Sequence, residues 1–399
     1  MPGRCLICGG HLGVEVLSLG MQPVTKNLID HAHPESFHAA LDVVICTMCA
    51  TVQLADPWPH HALVPWYDWM SFREPEEHLD DAVERVIEAH SLEPDALILG
   101  ISAKDDTTVS RFEKKGFKNT YRVQPDHDLK IETPNAYIES VQHELSHEVA
   151  EGIVAEIGQV DCLIVRHILE HSERPGQFLD AISVMLKPGG VAVFEVPDCE
   201  NALEKNDYAL IWEEHNIYFT EATLNRCLAK NGFENCWGIV YPYAFENSIV
   251  IAAQKASSEV NTSTKSLKKE LSRFDHYAKS FKETKTRVTE AITSFVDDEY
   301  TIVLFGAGHL GCSFLNYNGI GDRLAFAVDD APEKLGLKLP GTGLEIRPTS
   351  DLAGMSNLVC LLSVTPDIES AVVKRLQARL RSDVVYRSIV STSSRYIGG

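Results

Sequence analysis

Ala96-Leu97-Ile98-Leu99-Gly100-Ile101-Ser102-Ala103-Lys104-Asp105-Asp106 is an apolar run that turns into a polar loop, and residues 107–116 behind it have a helical pattern. Strand, tight loop and helix in that order form the layout in which backbone N–H groups meet a ligand at a helix N-terminus. The loop keeps one early glycine and then carries Ser, Ala, Lys, Asp and Asp. It predicts a nucleotide-cofactor site of unusual composition.

On its carboxyl side, Tyr121-Arg122-Val123-Gln124 reads as the second strand of a β-α-β unit. It ends on Gln124, where such folds offer an acid to ribose hydroxyls, with Asp126 two residues on. Residues 161–165 form a short buried strand followed by Arg166 to His171; 177–186 are helical, 187–190 turn, and 191–196 form a strand ending at Pro197. This alternation predicts a doubly wound α/β domain with a parallel sheet. Gly100, Gln124, His167 and Asp198 would meet at the carboxyl ends of its strands. His167 and His171 share a face if their segment is helical, and read better as pocket hydrogen-bonding groups than as a metal pair. Upstream, 76–90 is an amphipathic helix with Leu79, Val83, Val86 and Ile87 on one face.

Two Cys-x-x-Cys pairs, Cys5 with Cys8 and Cys46 with Cys49, lie near the start of the chain. Each presents two thiolates from one tight turn, and two such turns facing each other make a tetrahedral sulfur site for zinc. Four protein ligands make that zinc structural, folding a piece too small to hold a core. Residues 58–75 are dense in aromatics, with Trp58, Trp66, Tyr67, Trp69 and Phe72 around Ser71. Such a cluster packs domains together or lines a ligand pocket, and the sequence leaves both open.

Trp212-Glu213-Glu214-His215 sets carboxylates beside a histidine. That arrangement raises the ring's basicity for general-base work, or else it is a solvated turn. Residues 221–232 read as a helix and 248–253 as a strand. From 257 to 298, Lys, Glu, Ser and Thr with a helical period mark a linker helix. Beyond it, the strand 301–305 runs into Gly306-Ala307-Gly308-His309-Leu310-Gly311, with Asp329 and Asp330 about 20 residues on, the dinucleotide spacing. Alone it suggests NAD, but such a loop also serves sheet packing or another phosphate.

The chain has 399 residues, enough for two to four domains, and 44% hydrophobic content. Its formal net charge of −21 repels phosphate backbones and anionic lipid, so nucleic acid and membrane partners are not expected. No apolar run approaches the ~18 residues of a membrane span, and Met1-Pro2-Gly3-Arg4-Cys5 lacks the apolar core of a signal peptide. Ten cysteines without such a signal predict reduced thiols and metal in a cytoplasmic protein.

Taken together, the order of parts resembles the S-adenosylmethionine-dependent C-methyltransferases that act on nucleotide-linked 4-keto-deoxysugars, over nearly the whole chain. The resemblance rests on the two cysteine turns, Leu19-Gly20 with Pro23 and Asn27, and Val52-Gln53-Leu54 after the second turn. It continues through Tyr67-Asp68-Trp69-Met70-Ser71, His167-Ile168-Leu169-Glu170-His171 and Phe194-Glu195-Val196-Pro197 to Phe305-Gly306-Ala307-Gly308, Asp329-Asp330, Lys334 and Pro340-Gly341.

The resemblance implies a zinc-binding domain (1–57), a doubly wound Rossmann-like class I methyltransferase domain (58–256), a helical linker (257–298) and a second Rossmann-like domain (299–399). It implies structural zinc on Cys5, Cys8, Cys46 and Cys49, and S-adenosylmethionine near Gly100, Ser102, Asp105 and Gln124. The nucleotide-sugar substrate would meet Tyr67, Trp69, Ser71, His167, His171 and Ser248, with His215 as base beside Glu214, and the C-terminal glycine loop need not bind NAD.

Three departures stand out. The donor loop lacks the family's strand acid and two glycines, having Gly100, Ser102 and Asp106; Gln124 replaces the ribose acid; and Trp212-Glu213 replaces a Tyr-His pair ahead of Glu214 and His215, with Glu246-Asn247-Ser248 for Gly-Gly-Ser. Besides methyl transfer through an enolate, two other functions are therefore open. One is donor-free enolate chemistry such as epimerisation, dehydration or rearrangement; the other is non-catalytic nucleotide-sugar binding.

Overall fold

An N-terminal segment of some fifty residues cannot bury a core alone, and the fold completes it from elsewhere in the chain. The computed structural model describes residues 3–69, 74–132, 138–258, 260 and 266–399. Strands β1 (Leu12–Pro23), β2 (His38–Cys46) and β3 (Val52–Leu54) form an antiparallel sheet. At its end Cys5 Sγ lies 3.6 Å from Cys49 Sγ, and Cys8 Sγ 3.5 Å from Cys46 Sγ. Sulfurs about 3.8 Å apart suit a tetrahedral zinc with bonds of about 2.3 Å. The N–H groups of Cys8 and Met48 donate to Cys5 and Cys46 Sγ at 3.5 and 3.3 Å, holding both turns in shape.

The central sheet comprises β4 (Leu97–Gly100), β5 (Asn119–Arg122), β6 (Val160–Arg166) and β7 (Leu186–Asp198), all parallel. The chain then crosses back to the N-terminal sheet, where β8 (Ile217–Tyr218) pairs with β3. It returns as β9 (Phe233–Tyr241) and β10 (Asn247–Lys255), giving the order β5-β4-β6-β7-β10-β9. The expectation of a wholly parallel sheet fails at one strand: β10 runs antiparallel to both β7 and β9. Apolar residues alternate between two covered faces, with Leu99, Leu163 and Val165 in one core and Ile98, Cys162 and Ile164 in the other. Doubly covered strands of this kind read as continuous apolar runs, which is why they were legible.

The predicted linker is one helix, Leu267–Asp297, and it packs as well as connects. Phe274 and Tyr277 bury into the N-terminal sheet's core with Leu17, Val43 and Trp58, while Val288 and Ile292 enter the core of the last domain. That last domain is a parallel sheet in the order β13-β12-β11-β14-β15, from β11 (Thr301–Phe305), β12 (Phe326–Asp329), β13 (Ile346–Pro348), β14 (Leu358–Leu362) and β15 (Val385–Ser388). Its glycine loop divides by role. A Cβ on Gly306 (φ +96°) would meet Ser363 O at 2.8 Å and one on Gly311 would meet Leu304 Cδ2 at 2.7 Å, whereas Gly308 faces open space. Among the described residues, no helix is long and apolar enough to cross a membrane.

Because β8 belongs to the sheet that the cysteine turns terminate, zinc is expected to matter beyond its own loop. Cys46→Ala, or prolonged chelation, is expected to remove one zinc per chain by elemental analysis and to lower Tm, structural zinc sites being worth on the order of 10 kcal/mol of binding free energy. Full zinc loss with an unchanged melting curve would sink the structural assignment.

Candidate active site

Gly100 ends β4 with no side chain, and the space is used. A Cβ there would lie 2.9 Å from Asp105 Cβ. The fully buried Asp105 carboxylate instead accepts from Ile101 N (2.7 Å), Ser102 N (2.8 Å) and Arg166 N (2.9 Å), tying the loop to the end of β6. Burial pushes its pKa up to about 7 against these donors and Arg166. Ser102 Oγ accepts from Lys104 N at 3.2 Å and caps the turn. At the end of β5, Gln124 donates its side-chain amide to Arg122 O at 2.7 Å. The acid here is Asp128 rather than Asp126: its carboxylate receives Gln124 N at 2.6 Å and Tyr121 Oη at 3.0 Å.

Beside the loop lies a buried charge hub that the sequence did not announce. Glu195, on β7, accepts from His167 Nε2 (3.2 Å), Ser248 Oγ (2.9 Å) and Arg166 Nε, and His78 Nε2 faces it at 3.0 Å as an ion-pair contact. Burial alone would raise its pKa, but Arg166, His167 and His78 hold it well below the carboxylate range. Burial alone would likewise discharge His167; its contacts to Glu170 (3.4 Å) and Glu195 prevail and push it up to about 10. His167 sits at φ +47°, a strained left-handed position for a non-glycine residue. The one signal in the sequence was a charge at the end or middle of an apolar strand, at Arg166 and Glu195.

His167 and His171 do not act as a pair. The intervening residues form only a 3-10 turn, Leu169–His171, so the rings diverge. His171 Nδ1 faces Glu139 at 3.2 Å, and its ring lies edge-on to His215 at 4.7 Å.

His215 is fixed by its own loop. Glu213 accepts from Thr25 N (2.6 Å) and Thr25 Oγ1 (2.8 Å), Asn216 donates to His171 O (2.7 Å), and Tyr218 Oη donates to Trp212 O (2.7 Å). The expectation that Glu214 raises the basicity of His215 is overturned. Glu214 turns to Lys26 Nζ at 3.0 Å, while burial, followed by the cations His171, His167 and Lys26, pushes His215 well below the usual histidine value. Lys26 is wholly buried; desolvation would discharge it, but Glu139 (3.4 Å) and Glu214 keep it charged. Glu214, desolvated itself, is pushed up to about 7. Lys26 and Glu139 carried no motif, and sequence reasoning missed both.

A pocket of about 400 Å³ opens between the N-terminal segment and the C-terminal glycine loop, lined by Thr25, Lys26, Trp69, Gly308, His309 and Lys334, among others. His309 contacts Trp212 (ring centroids 3.9 Å), and Trp212 contacts His215 (4.9 Å), so His215 lies behind the pocket lining. Tyr67 stacks on Trp69 at 4.9 Å and donates to Leu28 O and Asp30. Ser71 lies outside the described residues. Asp329 is taken up by Ala307 N and Lys334, both at 2.9 Å, so the acid of the dinucleotide spacing serves the loop itself.

Family models match in chain order: "Putative zinc binding domain" over residues 5–63, "Methyltransferase domain" over 71–236 and "C-methyltransferase C-terminal domain" over 249–384. With the fold above, the chain is a methyltransferase-like enzyme carrying the domain set of a C-methyltransferase. It is similar to C-methyltransferase NovU of Streptomyces niveus, at 24% identity over 370 residues, covering 88% of this chain and 87% of that one. Among solved structures, the 1,6-didemethyltoxoflavin-N1-methyltransferase of Burkholderia thailandensis matches at 16% identity and TM-score 0.32, over 46% of this chain and 80% of that one. The magnesium protoporphyrin IX methyltransferase of Synechocystis matches at 13% and 0.32, over 47% and 91%.

Replacing Glu195 with Gln leaves Arg166, His78 and His167 facing a neutral amide, and is expected to cost about 3–5 kcal/mol in urea unfolding. In the native chain the raised His167 value contributes stability that is complete below about pH 6.5 and lost as the pH rises through about 10. Glu195→Gln is expected to flatten that alkaline slope.

Proposed function

We propose that the chain transfers a methyl group from S-adenosylmethionine to the carbon beside the ketone of a nucleotide-linked keto-deoxysugar, with His215 as the base. The observation that carries this reading is a buried, uncharged His215 behind a pocket whose floor is the Gly308 end of a helix. A neutral imidazole is ready to accept a proton at neutral pH. The open face of Gly308, the start of the helix His309–Asn318 and Lys334 suit a diphosphate, leaving the sugar near Trp69, Lys26 and His309.

The donor's fit rests on charge. Glu170 is buried, its carboxylate meets His167 Nδ1 at 3.4 Å as an ion pair, and it shares a cluster with His171 and His215 in which the facing atoms lie within 4.8 Å of one another. Glu246 nearby is pushed up to about 8 by burial, with Glu170 and Asp198 adding to the push against His167. A crevice with surplus carboxylates suits a sulfonium and an ammonium. Glu170 and Glu246 would hold that cation, and Arg166 with Asp105 would shape the loop beside it. When bound, the donor supplies an electrophilic methyl carbon.

Donor-free enolate chemistry is the second reading. It is favoured by the inward commitment of Asp105 and by Gln124 folding back on its own strand, which leave the loop without the polar side chains a ribose needs.

Calorimetric titration with S-adenosylmethionine is expected to give micromolar binding; no heat at millimolar donor would leave the second reading. His215→Ala is expected to abolish turnover under either reading while leaving donor affinity and Tm nearly unchanged, and unaltered turnover would remove His215 from the mechanism. Since its pKa lies below the usual histidine value, the acid limb of kcat/KM is expected below pH 6.5, roughly where an ordinary histidine titrates.

A further inference from the structure

Removing a proton beside a ketone requires a group that takes the charge gathering on oxygen. Among the described residues, four hydroxyl and indole donors of the site are already committed. Thr25 Oγ1 donates to Glu213 (2.8 Å), Tyr67 Oη to Leu28 O (3.0 Å), Tyr218 Oη to Trp212 O (2.7 Å) and Trp212 Nε1 to Ala209 O (2.9 Å).

We infer that Lys26 is the group that holds the enolate oxygen. Its side chain has no exposed surface, yet it lines the 400 Å³ pocket beside Thr25, Trp69 and His309. It stands 3.0 Å from Glu214, the neighbour of the base in the chain. An ammonium is cationic, carries three N–H donors and has no acceptor, which suits an oxyanion and rejects a cation. Its two carboxylates come from a helix, Ile138–Glu144, and from the loop of His215, so its position is fixed before substrate arrives. Preorganised charge of this kind stabilises a developing anion without reorganisation at the moment of reaction.

The step balances without a co-reactant. His215 takes the proton from the carbon beside the ketone; the C–H electron pair becomes the new C=C bond, and the carbonyl π pair moves to oxygen, where Lys26 donates a hydrogen bond. Return of a proton from the imidazolium restores the ketone. Hydrogen at that carbon therefore exchanges with solvent even with no methyl donor present. The inference rests on the enolate reading and deepens it.

The test follows deuterium entry by proton NMR, using the full chain in D2O with a nucleoside-diphosphate-linked 4-keto-6-deoxyhexose and no S-adenosylmethionine. The native chain is expected to exchange, and Lys26→Met to lower kcat for exchange by about 100-fold or more with little change in KM. Because Lys26→Met strands buried carboxylates, the double variant Lys26→Met with Glu139→Gln removes one counter-charge and keeps a readable fold. Lys26→Arg, which keeps the charge and displaces the donors, is expected to fall between. A folded double variant that exchanges within a few-fold of the native chain overturns the role of Lys26, as does a loss confined to KM. No exchange by the native chain, with the probe shown to bind, overturns the enolate reading itself.

Discussion

A lysine ammonium with no exposed surface costs several kcal/mol unless it is paired, and here the pairing joins remote parts of the chain. Lys26 follows the first strand; Glu139 lies on a helix of the central domain; Glu214 lies on the loop that returns to the N-terminal sheet. Removing the lysine leaves two buried carboxylates without their common cation. Glu139 also faces His171, so one of the carboxylates that hold the lysine also sets the charge beside His215. Domain arrangement and site chemistry rest on one set of ion pairs.

The covalent route of the chain enforces the same closure. Strand β8 is two residues long, yet its pairing with β3 carries residues 212–216 against the N-terminal sheet, with Leu54 N donating to Asn216 O at 3.0 Å. The cysteine turns end that sheet, and Phe274 and Tyr277 of the long helix back it. His215 is therefore held by elements from the start, middle and later part of the sequence. A ring so placed is fixed in advance, which suits the role of base proposed for it.

The sequence made the architecture legible because its signals were local. Paired cysteines, apolar strands such as residues 161–165, and Gly306-Ala307-Gly308 each require only their own neighbours to be read. The family models agree with that three-part order. The site was less legible because its chemistry is not local. Lys26 follows Thr25 in a stretch without a motif, and nothing in it states that Glu139 and Glu214 lie in the fold beside it. The charge on His215 was misjudged for the same reason: adjacency of Glu214 in sequence suggested an ion pair, but the carboxylate turned to a stronger partner, and cations from two other segments, His167 with His171 and Lys26, act on the ring.

The opening loop shows how a composition can depart while part of its geometry is retained. With Gly100 at the end of β4, no side chain occupies the space beneath the loop, and Asp105 enters it from the far side. Two N–H groups of the loop and one of β6 converge on that carboxylate, so an acid five residues later in the chain organises the turn. What the exchange does not restore is the polar side chain at the end of β5, where Gln124 and Asp128 satisfy each other and their own strand. On the proposed reading, donor affinity would rest on carboxylates just beyond β6 and just before β10, Glu170 and Glu246, more than on contacts to a ribose.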